Sequence, residues 1–149
     1  MKISFSLEGR SPLKQAQIES IERAISAAMG GPGEYFIGLS FVSQEVIQKM
    51  NNSYAGNNYP TDVLSFDYSD SVKGGAIGDI AVCTQLAKAQ AKEYDTSLEA
   101  ELSLLVVHGA LHILGEDHQT NAEITSLDQL QSDIMSTMNY KYRDFKWSH

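Results

Sequence analysis

Ile3, Phe5 and Leu7 alternate with Lys2, Ser4 and Ser6, the period of two that marks a strand with one buried face, so a strand is predicted over residues 2–8. The period then changes. Leu13, Ala16, Ile18, Ile21, Ala24, Ile25 and Ala28 share one helical face, with Ser11 placed to cap, Pro12 at the first helical position and Gly30, Gly31, Pro32 and Gly33 as the stop. "YFIGLSFV" at 35–42 reads as a second strand, "SQEVIQKMNN" as a short helix capped by Ser43, and the polar "NSYAGNNYPTD" as a loop. "VLSFDY" and "GAIGDIAVC" follow as two more strands paired through the segment between them. Thr84 opens a helix to about Tyr94, and Thr96 or Ser97 caps the next, which carries Leu98, Leu102, Leu105, Val106, His108 and His112 before Gly115. The capping box formed by Thr120 and Glu123 starts a last helix reaching about Tyr140. Strands and helices mix without strict alternation, which predicts an α+β fold: a small mixed four-stranded sheet packed with about five helices, in one domain over 1–149.

Composition narrows the class. A chain of 149 residues can bury a core of its own, and 42% hydrophobic against 20% charged residues excludes a disordered chain. The single cysteine, Cys83, sits in the apolar run "AVC" and is expected to be a core thiol in a reducing compartment. No stretch approaches the roughly 18 to 20 apolar residues of a membrane span, and "MKISFSLEGRSPL" lacks a long apolar run, so a cytoplasmic protein with no membrane partner is expected. Eleven Lys and Arg against nineteen Asp and Glu give a net charge of −8, which opposes long-range steering toward nucleic acid and would confine any RNA contact to a local groove. The terminal "NYKYRDFKWSH" interleaves Lys141, Arg143 and Lys146 with Tyr140, Tyr142, Phe145 and Trp147, a composition able to stack bases and meet phosphates, although a solvated tail with anchoring aromatics is the favoured reading.

Three of the four histidines fall in "HGALHILGEDH". His108 and His112, four apart, project from one helix face, and Gly115 can turn the chain back so that His118 supplies a third nitrogen. Neutral imidazoles suit Zn²⁺, and three protein ligands with an open position is the catalytic pattern. Asp117, Glu116 or backbone carbonyls are candidates to hold the second ring nitrogens, and Glu116 is also a candidate general base. The plainer alternative makes His108 a core residue and the others surface side chains. The same spacing occurs in metzincin proteases, but these place a glutamate directly after the first histidine as general base, where this chain has Gly109. A metalloprotease therefore lacks its base.

"HGALHILGEDH" resembles the H-G-x-L-H-L-x-G-Y-D-H signature of the YbeY family, endoribonucleases of ribosomal RNA maturation. "NNSYAGNNYPTDVLSFDY" resembles that family's N-x-x-Y-R and P-T-D-V-L-S-F segment, and "GAIGDIAVC" its L-G-D-I strand. The motifs keep the family order over roughly residues 50–120. The resemblance implies an α+β fold, one Zn²⁺ on His108, His112 and His118, and cleavage of single-stranded RNA. The place implied is 3′-end maturation of small-subunit (16S-type) ribosomal RNA and ribosome quality control, with the small ribosomal subunit and its proteins as partners. Two positions depart from the pattern: Glu116 replaces a tyrosine, and Ala55 replaces the arginine after Tyr54. A guanidinium can bind a phosphate bidentately and alanine cannot, so a distant cation such as Lys49 or Lys73 would have to stand in. The alternative is a metal-stabilised ribosome assembly factor with weak or no nuclease activity; hydrolysis of a small molecule in a narrow pocket is a third possibility.

Overall fold

Strand alternation decides which face of the sheet is buried. The computed structural model describes residues 1–68, 76–116 and 119–143. Along the chain run β1 (Lys2–Glu8), α1 (Gln15–Met29), β2 (Glu34–Val42), α2 (Gln44–Ala55), β3 (Val63–Asp67), β4 (Ala76–Cys83), α3 (Thr84–Tyr94), α4 (Leu98–Ile113) and α5 (Asn121–Thr137). The sheet order is β1-β2-β4-β3; β1 and β4 both run parallel to β2, and β3 pairs antiparallel with β4 at the edge. This is the α+β arrangement expected, a mixed four-stranded sheet with five helices.

Ile3, Ile37, Leu39, Val63, Ile80 and Val82 point to one face and form the main core with α1, α4 and α5. On the opposite face Ile47 of α2 packs against Ala81 and the buried thiol of Cys83. Helix α4 is enclosed: every residue from Ala100 to Leu111 is buried, as expected of a helix apolar on nearly all sides. Its start is fixed by Ser97, whose hydroxyl accepts from the Ala100 N–H at 3.0 Å. No helix among the described residues is long and apolar enough to cross a membrane.

Three boundaries differ from the pattern-based expectation. α1 begins at Gln15 because Ser11 bonds to both the N–H and the carbonyl of Leu13, a turn that drives Leu13 into the core ahead of the helix. α2 runs on through Ala55, into the stretch read as loop, until Gly56 takes a left-handed φ of 71°. Buried Asn51 secures that extra turn by donating to the Tyr59 carbonyl at 2.9 Å, where propensity alone disfavours helix. At the other end, α5 stops at Thr137 rather than near Tyr140, with Asn139 at a φ of 63°.

Candidate metal centre and its cleft

The last two turns of α4 carry His108 and His112, with ring centroids 6.2 Å apart and planes at 44°. His108 is buried and His112 exposed, so the pair leads from the core to the surface. After α4, Gly115 takes a φ of 97° and the Glu116 N–H bonds to the Leu111 carbonyl at 3.0 Å, the left-handed helix end that the sequence predicts. His118 and Asp117 lie outside the described residues. Among the described residues no three His, Cys, Asp or Glu side chains form a metal cluster.

His108 Nδ1 lies 2.9 Å from Gln131 Oε1 on α5. Gln131 Nε2 in turn donates to the Tyr142 hydroxyl at 3.1 Å, and Tyr142 donates to Asp128 Oδ1. A carboxylate can only accept, so the chain of bonds has one direction: Gln131 turns its oxygen to His108, whose Nδ1 carries the proton and whose Nε2 keeps the lone pair. That is the tautomer in which His108 can offer Nε2 to a metal ion, and neutral imidazole of this form suits Zn²⁺. The group on His108 Nδ1 is thus Gln131, a residue of α5; Asp117 lies outside the described residues. The signal was present: Gln131 interrupts the apolar stripe of Leu127, Leu130 and Ile134 and is fully buried.

Beside His112 a cleft of about 270 Å³ is lined by Ser65, Asp67, Ile113, Gly115 and Glu116. Glu116 and His112 therefore share a cleft, and Asp67, which sequence reasoning passed over, adds a second carboxylate. Gly109 explains how α4 reaches the sheet here. A Cβ on it would lie 3.0 Å from Ile80 Cγ2 and 3.1 Å from Ser65 Oγ, and Ser65 donates to its carbonyl at 3.2 Å. The position that would hold a protease's glutamate faces the sheet and is tight even for a Cβ.

Other candidates are placed elsewhere. Ala55 and Lys49 are exposed on α2, across the sheet from α4, and Lys73 lies outside the described residues. Asp62 accepts from Gln90 at 2.8 Å and its carbonyl pairs with the Cys83 N–H at 2.8 Å, a structural role for the buried Thr61-Asp62 turn. The terminal segment is partly structural too. Tyr140 and Tyr142 pack on the core, and Arg143 grips Glu101 through two bonds of 2.6 and 2.7 Å with its guanidinium 4.0 Å over the Tyr94 ring. Burial opposes that charge, but the hydrogen bond and charge of Glu101 prevail and hold the guanidinium above its ordinary pKa. Arg143 is thereby committed to the fold; Phe145, Lys146 and Trp147 lie outside the described residues.

The family model described as Endoribonuclease YbeY matches residues 7–139. Proteins named Endoribonuclease YbeY are similar over most of the chain: that of Alkaliphilus oremlandii is 34% identical over 140 residues, covering 89% of this chain and 93% of its own. That of Bacillus licheniformis is 37% identical over 139 residues, covering 86% and 88%. The solution structure of TM1509 from Thermotoga maritima shares the fold with a TM-score of 0.60, at 24% identity, over 92% of this chain and 91% of that one. With a matching model over most of its length and relatives above 30% identity, the chain belongs to the YbeY endoribonuclease family.

Proposed function

We propose that the chain is a zinc-dependent endoribonuclease that cleaves single-stranded RNA, acting in the cytoplasm in 3′-end maturation of small-subunit ribosomal RNA and in ribosome quality control. Its partners would be ribosomal RNA and the small subunit with its proteins. The observation that supports it best is the His108–His112 pair beside an open cleft, with the His108 tautomer fixed through Gln131. Together with His118 these side chains would hold one Zn²⁺, which when bound polarises a phosphoryl oxygen and makes water a better nucleophile near neutral pH. Within the cleft, Glu116 is the group placed to take a proton from the attacking water, and the Ser65 hydroxyl can donate to a phosphate oxygen. Enclosed α4 gives both ligand histidines a rigid base, which lowers the reorganisation needed at reaction.

The test is cleavage of a labelled single-stranded RNA by protein of measured zinc content. Wild type is expected to cut, and His112→Ala to lose both the metal and the activity. A zinc-loaded wild type that leaves RNA intact would reject the nuclease reading. One observation favours the alternative of an assembly factor: no Lys or Arg among the described residues lines the cleft, and the position that is arginine in the family pattern is Ala55 on α2. Cleavage that appears only in Ala55→Arg would assign the chain to that reading.

A further inference from the structure

The "GAIGDIAVC" strand raises a question the metal cleft does not answer, because Asp79 is a carboxylate in the middle of β4 on the face away from α4. There it lines a cavity of about 530 Å³, with Gly38 and Ser40 of β2, Phe66 and Tyr68, and Tyr54 of α2. That volume falls in the range of small-ligand pockets. Building on the RNA reading above, we propose that this cavity receives a base of the bound strand next to the scissile phosphate, and that Asp79 selects guanine there.

Continuity is the first ground. Ser65 and Asp67 line both this cavity and the His112 cleft, and β3, which carries them, is the edge of the sheet. A single strand laid over that edge places a phosphate beside His112 and an adjoining base on the opposite face. The aromatic rings are the second. Tyr54 is 74% exposed yet held by Phe66, with centroids 4.9 Å apart, so a large apolar ring is presented to solvent at the cavity mouth without loss of order. Base stacking on such rings tolerates any sequence.

Selection comes from Asp79. A Cβ at Gly38 would lie 2.0 Å from Asp79 Oδ1, so a glycine inside β2 is what leaves space for the carboxylate. Tyr68 donates its hydroxyl to the other oxygen, Oδ2, and fixes the group's orientation. A carboxylate fixed in this way accepts from two neighbouring donors. Guanine, with N1–H beside N2–H on its Watson–Crick edge, presents such a pair; adenine, cytosine and uracil each have a single donor group on that edge, with an acceptor beside it. Glu8 adds its carboxylate to that of Asp79 in the cavity, which repels phosphate and admits the base edge first, leaving the backbone outside.

The experiment is fluorescence anisotropy of the zinc-loaded protein with labelled RNA hexanucleotides, all-adenine or carrying one guanine at each position in turn, strand integrity being checked on a gel after each titration. One position is expected where guanine tightens binding about tenfold. Asp79→Asn, which exchanges an acceptor for a donor, should abolish that preference, and Tyr54→Ala should weaken every strand alike. Hexanucleotides that bind wild type with no preference at any position would overturn the base pocket and leave the RNA reading standing. Absence of binding by every strand would overturn both.

Discussion

His108 Nδ1 and Gln131 Oε1 are joined at 2.9 Å, and the direction of that bond is set from outside the pair, by Tyr142 and the Asp128 carboxylate beyond it. Gln131→Leu removes the acceptor, leaving a buried imidazole N–H unpaired at a cost of about 1–3 kcal/mol. It also leaves the ring without its orienting partner, so zinc affinity should fall on the order of 10- to 100-fold in a chelator competition. Gln131→Glu, which keeps the acceptor but buries a carboxylate and loses the donor to Tyr142, should retain more of that affinity than Gln131→Leu while being less stable than wild type. Equal zinc affinity in wild type and Gln131→Leu would show that the bond serves packing alone.

Restoring a protease-like glutamate should not yield a protease. A Cβ at Gly109 already meets Ile80 at 3.0 Å and Ser65 at 3.1 Å, and the rest of a glutamate would bury a charge against the sheet. Gly109→Glu is expected to lose about 3 kcal/mol or more, seen as a lower midpoint in denaturant, with no peptide cleavage gained. A stable, peptidase-active variant would show that α4 can lift from β3 and β4.

Element order, sheet composition and the His108–His112 pair were legible because each rests on local periodicity: alternation in β1, the apolar face of α1, the spacing of two residues on one helix. Strand pairing of β3 with β4 followed from their closeness in sequence. What stayed hidden depends on residues far apart in the chain. Gln131 reads as a flaw in an apolar stripe until α5 is laid against α4, and Arg143 reads as a surface cation until Glu101, forty-two positions earlier, is found beneath it. The extra turn of α2 was missed for a similar reason. Asn52 and Ser53 favour loops locally, and the buried bond from Asn51 to Tyr59 and the left-handed Gly56 carry the helix through them to Ala55.

Alkaline titration offers a test of the Asp79–Tyr68 contact. The hydrogen bond to Asp79 above all, then burial and the carboxylate's charge, push the Tyr68 pKa from 10.0 up to about 12. The folded pKa is the higher one, so this contact's contribution to stability is complete below about pH 10 and is lost as pH rises toward about 12, because the unfolded chain releases the proton first. Absorbance of tyrosinate should show one fewer late-titrating residue in Tyr68→Phe than in wild type. Asp79→Asn should bring the Tyr68 step back toward its ordinary 10.0; an unchanged late step in Asp79→Asn would assign it to another cause.

The segment after α5 touches both the buried Glu101 and the Gln131 that meets His108, and two neighbouring substitutions should separate its effects on stability and on zinc binding. Arg143 and Glu101 have side chains only 12% and 1% exposed, so Arg143→Ala strands a buried carboxylate with Thr96 as its remaining hydroxyl partner. The expected loss is about 3–5 kcal/mol, the usual cost of removing one member of a buried ion pair. Tyr142→Phe keeps the ring in the core and deletes the hydroxyl that orients Gln131, so its stability loss should be smaller, about 1 kcal/mol, while zinc affinity drops. Because Tyr142 is the residue before Arg143, freeing the strap in Arg143→Ala should lower zinc affinity as well, and added zinc should recover part of its lost stability by mass action. If Arg143→Ala unfolds more easily yet binds zinc as wild type does, the strap and the histidine pair are independent, and the relay from Asp128 ends at Gln131 without consequence for the metal.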